Sequence, residues 1–377
     1  MKPQIEESLR RHAASPGVSV GEYVQGLMAA LGDSIVDRHK LYLDTRYWIH
    51  LRDAAVGRPT HHQHGEILDR IRSLVADGLA VCTVSDVVWM ELFKQVDPKT
   101  RLATADLLDE LSLGVALMSE KERMVAEIEY FLTHTADGGL PPIRRDRVWV
   151  KAGYVMGFLI PVINQSSPEQ NRLGQKASVD VFWRVTHREL ASGGSSLSGQ
   201  EDRWEEAAAR VTAESQEHAH EIRSYQQAFA DEIAGALRAF KDEIRGLGVR
   251  HYRRITGDQR SVPLEQAEEA AKQLVNLLSN AFKLRREIMA QHIPSLYTFA
   301  MCHAAVRWDK SRKFNSHDLL DFHHASSGVP YHDAVFTEKP LRVLVTAGNT
   351  ALDKTFSCTV LSKEADVLAY LCNLSGR

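Results

Sequence analysis

Residues 317–339 read HDLLDFHHASSGVPYHDAVFTEK. The first part has the spacing of a helix that packs against a core, and "AVF" (334–336) is a short buried strand. Yet Asp318, Asp321, Asp333 and Glu338 all fall within this stretch. An unpaired charge in a dry interior is expensive. A helix running into a strand while keeping four carboxylates therefore points to an α/β unit whose acids have a shared task.

The same alternation appears near the start of the chain. "LYLD" (41–44) is a short buried strand that ends on an acid. A helix follows over about 63–77, with Ile67, Ile71, Leu74 and Val75 on one face, and the "DG" at 77–78 closes it. "LAVCTVS" (79–85) is a second strand, and Ser85 is placed to cap the helix "DVVWMELFKQV". After Pro294 the pattern returns: the helical "SLYTFAMCHAAVRW", the opening stretch, the strand "FSCTVLS" (356–362) and the helix "KEADVLAYLCNL". Strands each followed by a helix favour parallel pairing through crossovers.

Between these pieces the pattern is helical. "SEKE" (119–122) is a capping box, and "ASGGSSLSGQ" (191–200) has linker composition. Ile222, Tyr225, Phe229, Ile233, Leu237, Phe240 and Ile244 form an apolar stripe that predicts one helix over 201–245. A partner at 264–292 carries Leu274, Leu277, Leu278, Ala281, Leu284 and Ile288. Core packing is the favoured use of both stripes, with a homodimer contact as the alternative. The expected architecture is α/β, a parallel sheet of about four to five strands with flanking helices, split by a large all-helical insertion. Its segments are an N-terminal helical part (1–37), a first α/β part (38–96), the insertion (97–293) and a second α/β part (294–377).

The acids gain meaning on this frame. Asp44 ends the first strand, at the sheet edge where open parallel sheets bind ligands. Glu338 follows "AVF" and belongs to the same edge, whereas Asp333 precedes that strand. Asp318 and Asp321 are three apart and share a helix face. Glu91 lies on the apolar face set by Val87 and Val88. Acids gathered from distant segments suit a hard divalent cation such as Mg²⁺ or Mn²⁺, and two such ions roughly 3.5–4 Å apart can promote phosphodiester cleavage. Structural uses compete: Asp318 in a first helical turn, Asp333 as a turn cap, and Glu338 paired with Lys339.

"YLDTRYWIHL" (42–51), "TVSDVVWMEL" (83–92) and "DLLDFHHASSGVPYHDAVFTEKPL" (318–341) together resemble the PIN-domain nucleases, over roughly 40–95 and 296–372. The resemblance implies a Mg²⁺- or Mn²⁺-dependent ribonuclease with Asp44, Glu91 and Asp321 as core metal ligands. It gives Asp333 or Asp318 the role of completing the acidic pocket, and Thr45 and Thr337 that of orienting water or carboxylates. Asp333 counts with Asp44, Glu91 and Asp321 among the catalytic group, and Glu338 joins the metal set although the family usually has a shorter Asp or Asn there. The implied partner is RNA, with single-stranded DNA as the alternative polymer. A catalytically silent module that binds nucleic acid or a protein is the competing reading, and any inhibitor partner is left open.

Composition limits what else the chain can do. Its 377 residues carry a net charge of −3, so no protein-wide basic field draws in nucleic acid. Local stretches such as "RRDRVWVK" (144–151), "RHYRRITGDQR" (250–260), "KLRRE" (283–287) and "KSRK" (310–313) would have to supply the cations. Four separated cysteines without C-x-x-C spacing read as free thiols in a reducing compartment. The longest apolar run, "VMGFLIPVI" (155–163), is too short to span a bilayer, so a cytoplasmic protein is expected. "HHQH" (61–64) reads as a solvated helix start in preference to a zinc tract, and His323, His324 and His332 as packing or supporting groups near the acids.

Overall fold

Strand β1 (His39–Leu43) is the axis of the sheet, because Leu41, Tyr42 and Leu43 are buried and can be covered on both faces. The computed structural model describes residues 3–13, 17–92, 94–135, 145–162, 166–193, 201–257, 262–310 and 312–374. Within them β1 lies between β2 (Ala80–Thr83) and β5 (Ala334–Phe336), and β6 (Thr359–Leu361) flanks β5. All three pairings are parallel, with Leu41 opposite Cys82 on one side and Ala334 on the other. Such near-continuous apolar strands are what a parallel sheet covered by helices requires. The α/β expectation holds for this sheet, although the molecule as a whole is mostly helical.

Residues 97–293 are not all helical. They contribute β3 (Val115–Leu117) and β4 (Trp149–Lys151), an antiparallel pair. Val84, just past β2, bridges to Ala116 in the parallel sense, so β3 continues the sheet beyond β2. The strand was hidden because "VAL" is only three residues long. It is launched by two left-handed residues, Leu113 (φ 54°) and Gly114 (φ 69°), which turn the chain sharply out of the preceding helix.

The helix expected over 201–245 is also divided. Helices Glu201–Glu217, Tyr225–Ala239 and Lys241–Thr256 replace it, and Ser224 caps the second by accepting from the Gln227 amide at 3.1 Å. The apolar stripe is used for packing: Ile222, Phe229, Ile233, Leu237 and Ile244 are all buried in the main core. That core runs without a break from the sheet into the helices of 97–293. Of the partner stripe, Leu274 and Leu278 are buried, while Leu277, Leu284 and Ile288 are exposed. Most of the glycine- and serine-rich stretch 191–200 lies outside the described residues. Among the described residues no helix is long and apolar enough to cross a membrane.

Helix Ser316–Gly328 sits unusually close to the sheet, and its last residue explains how. A Cβ on Gly328 would meet Tyr42 Cδ1 and Val335 Cγ2, each at 3.0 Å. Both neighbours are buried strand side chains with nowhere to retreat. We expect Gly328→Ala to destabilise the fold by about 1–3 kcal/mol through overpacking, seen as a lower urea midpoint with an unchanged m-value. A midpoint equal to wild type would show that the helix can lift away freely.

Candidate functional site

Asp44 follows β1 directly and caps helix Thr45–Ala55, accepting from the Tyr47 amide at 3.1 Å. Its other oxygen accepts from the Glu338 amide, also at 3.1 Å, just beyond β5. One carboxylate therefore serves two strand ends, and it is only 5% exposed. Burial raises its pKa above the usual carboxylate range, against the opposing effects of His324 and Thr337, and nearby Glu338 adds to the rise.

Glu91 comes in from helix Asp86–Leu92. It accepts from the Thr45 hydroxyl and from His324 Nε2, the latter at 2.9 Å. Burial alone would raise Glu91, but His324 and Thr45 outweigh it and hold the carboxyl below its ordinary value. His324 is buried and central. Its Nδ1 is 2.7 Å from the Tyr42 hydroxyl, which is in turn 2.9 Å from Ser85 Oγ. Burial works against a charged imidazole here, yet Glu91, Asp44 and Asp321 together raise its pKa.

Asp321 lies one helical turn before His324. Burial is the main cause that pushes its carboxyl up to about 7; His324 opposes this, and Asp44, Asp318 and Glu338 reinforce it. Asp44, Glu91 and Asp321 thus surround one imidazole at the C-terminal edge of the sheet. Asp318 is on the same helix but already occupied: it accepts from the Asn315 amide at 3.1 Å and pairs with Arg312. Glu338 stands half-exposed at the mouth, 3.7 Å from Arg46.

Asp333 does not join them. It precedes β5 and accepts from the Lys40 amide at 2.7 Å, while its own backbone bonds to Lys40 and Thr359. It fastens the starts of β1, β5 and β6, at the opposite edge of the sheet. Four strand steps separate it from Thr337, roughly 13 Å. Its place in the acidic pocket is therefore withdrawn.

A second charged group adjoins the first through the next residue on the helix. His323 Nδ1 is 2.5 Å from Glu120, which also accepts from Ser326 and whose amide donates to Asp86 at 2.8 Å. Burial would raise Glu120, but His323 and Arg123 hold it down to about 2. The fully buried Arg123 donates to Ser295 Oγ at 2.8 Å and to the Met118 carbonyl at 2.6 Å, and lies 5.2 Å over the Tyr331 ring. Glu127, bonded to Tyr331 and Ser295, is pushed up to about 7 by burial. Glu120 is thus fixed to the helix that carries Asp321 and His324, and Arg123 adds a bond to Ser327 Oγ of that helix at 3.2 Å.

The sequence did not single out His324 as the centre of the cluster or Arg46 and Arg312 as its cations. The i, i+3 relation of Asp321 and His324 was the available signal; Arg312 belongs to the basic stretch "KSRK" without having been tied to Asp318, and Arg46 lies in no basic stretch. His61 caps helix His62–Ala76 and is exposed, but His64, in the first turn, is buried, so the "HHQH" start is only partly solvated.

The donor chemistry of the pocket fits a hard cation: three acids lie near one another, one of them with its pKa raised chiefly by burial and further by nearby acids. The side chains are not drawn around a common point. Among the described residues no group of three or more His, Cys, Asp or Glu is arranged to hold an ion, and Glu91 is turned toward Thr45 and His324. No protein-family model, curated protein or solved structure matches this chain.

The raised Asp321 has a direct consequence for stability. Between its ordinary value of 3.8 and about 7, the folded protein binds more protons at this site than the unfolded chain. Stability must therefore fall as pH rises through that window. We expect the metal-free Asp321→Asn variant to gain on wild type in melting temperature between pH 5.5 and pH 8, because it lacks this loss. Glu127 acts with the same sign, whereas His187, His303 and His332, lowered to about 3, 3 and 4 by burial, act with the opposite one. An unchanged slope in Asp321→Asn would show that this carboxyl titrates normally.

Proposed function

We propose that the protein is a divalent-metal-dependent phosphodiester hydrolase, a PIN-like ribonuclease acting through the pocket of Asp44, Glu91 and Asp321. The observation that carries this reading is the Asp321 carboxyl, pushed up to about 7 by burial beside Asp44, Asp318 and Glu338. A carboxyl buried beside other acids is disfavoured in its charged form, and a bound cation would offset that cost. The chain order of the acids adds support: one after β1, one on the helix after β2, one on the helix before β5.

Asp44, Asp321 and Glu91 would hold Mg²⁺ or Mn²⁺. The ion would supply Lewis-acid stabilisation of the phosphate and lower the pKa of a water. The chain's own part is to place and hold the oxygens. Asp44 is fixed by two backbone amides, and Thr45 orients Glu91 by donating to it. Water attacks phosphorus and the bond to one ester oxygen breaks, so no protein nucleophile is required. Asp318 and Glu338 act at longer range, through their charge on Asp321. RNA is the favoured polymer, and single-stranded DNA offers the same phosphodiester.

A second reading has its own support. Glu91 is bonded to Thr45 and His324, so a silent module that binds nucleic acid without an ion would keep the arrangement seen here. Cleavage of end-labelled RNA and single-stranded DNA pools with Mn²⁺, Mg²⁺ or EDTA separates the two. We expect ion-dependent cutting that falls more than about 100-fold in Asp44→Asn and in Asp321→Asn. Folded wild-type protein that cuts neither pool under any condition would favour the silent module.

A further inference from the structure

Arg46 stands in the first turn of helix Thr45–Ala55, two residues past Asp44, with its side chain 47% exposed. Its Nε donates to His50 Nε2 at 3.0 Å, and one Nη lies 3.7 Å from Glu338 Oε1 at the pocket mouth. An arginine can only donate, so His50 Nε2 must be the acceptor, and the proton of that ring sits on Nδ1. His50 Nδ1 is 3.2 Å from Thr60 Oγ1, and the same hydroxyl is 3.2 Å from His64 Nδ1. Thr60 accepts from His50 and donates to His64. The His64 proton then lies on Nε2, 3.6 Å from Glu364 Oε1. The two imidazoles stack with centroids 4.4 Å apart and planes inclined by 15°.

These contacts set a direction of donation from Arg46 through His50, Thr60 and His64 toward Glu364, and each tautomer follows from the one before it. Burial, followed by the charges of His64 and Arg46, lowers the His50 pKa, in keeping with a neutral acceptor ring. The chain gives the "HHQH" segment a use that does not involve metal: His64 Nδ1 is engaged by Thr60, and its Nε2 is directed at a carboxylate.

The geometry points to an assignment that rests on the hydrolase reading. We propose that Arg46 is the residue that binds a backbone phosphate of a single-stranded polynucleotide at the mouth of the acidic pocket, and that His50 is its positioning residue. Nε is spent on His50, which fixes the guanidinium plane. Among the described residues the Nη donors are held by a loose contact with half-exposed Glu338, which leaves them open to phosphate oxygens in a two-pronged grip. An acidic pocket repels the strand it must cut, so a cation is needed at its rim. Other cations lie around the same pocket, Arg312 on Asp318 and Lys94 near Glu91, but among the described residues neither has a third group that orients it. Arg46 is braced from behind by His50.

The test is binding of a labelled single-stranded RNA 12-mer in EDTA, across a salt series, with circular dichroism and melting as controls for folding. Arg46→Ala should weaken binding about 10-fold and reduce the slope of log K against log salt by about 0.7, the share of one phosphate contact. Arg46→Lys should recover part of the affinity, keeping the charge but losing the fork. His50→Phe keeps a stacking ring and removes the acceptor, so it should cost about 3-fold alone and nothing further on the Arg46→Ala background. Arg46→Ala binding within about twofold of wild type at every salt, or no binding by folded wild type, would overturn the assignment. Additive losses in the double variant would remove His50 from it. A wild type that binds but never cuts with Mn²⁺ defeats the hydrolase reading alone. Ion-dependent cutting with an unchanged KM in Arg46→Ala defeats the Arg46 assignment alone.

Discussion

The two bonds accepted by the Asp44 carboxylate hold the site and the sheet together. One oxygen closes the first turn of the helix after β1, and the other takes the amide that follows β5. An alanine here would leave the buried Tyr47 amide without its partner, a loss of about 1–3 kcal/mol, and remove the bond of the part-buried Glu338 amide. A residue recruited for metal chemistry would normally be dispensable to the fold. Asp44 is not, because it also terminates the pairing of the central strands. The same carboxylate thus serves the fold and, in the proposed hydrolase, the ion as well, and its burial disfavours its charged form.

Buried histidines handle this excess of negative charge. His324 is shared between Glu91 and the electrostatic reach of Asp44 and Asp321, and His323, next in the chain, is bound to Glu120. Adjacent helix residues point about 100° apart, so one helix addresses two separate acid groups. The protein tolerates a concentration of carboxylates at one sheet edge because each group has an imidazole lodged against it. Asp44 and Asp321 are both raised in spite of His324, Asp321 to about 7.

How much of this could be read in advance depended on how far the signal extended. The strands "LYL" and "AVC" and the stretch around "AVF" were legible because buried parallel strands are uniformly apolar and each ends at a chemically distinctive residue. Strand β3 was not, since "VAL" has too few residues for a period to show, and its partner β4 is as short. The break between Glu217 and Tyr225 was missed because the apolar stripe continues through it: the same face is buried by separate helices. Asp44, Glu91 and Asp321 were placed by strand polarity and helix face, which survive folding. Asp333 was carried along by its nearness to "AVF", although a strand has two ends and it occupies the wrong one. Arg46 was not read out because only its i, i+4 neighbour His50 is local; Glu338 comes from the end of β5, and the groups that brace His50 come from the helix starts at His62 and Glu364.

The pairing of β1 with β5 has a consequence for how the molecule is made. Asp44 and Glu338 are 294 residues apart in the chain. Bringing such distant points together costs about 5 kcal/mol of chain entropy, to be met before any contact there is gained. Contacts of this range form late. Until the second α/β part has emerged and docked, β1 has β2 on one side and an open row of backbone donors and acceptors on the other. The helices of residues 97–293, sharing one continuous core with the sheet, are synthesised in that interval. They can shorten the distance to be closed by folding onto β2 and β3 first. The pocket would then be the last part of the protein to exist, complete only when nearly the whole chain has been made.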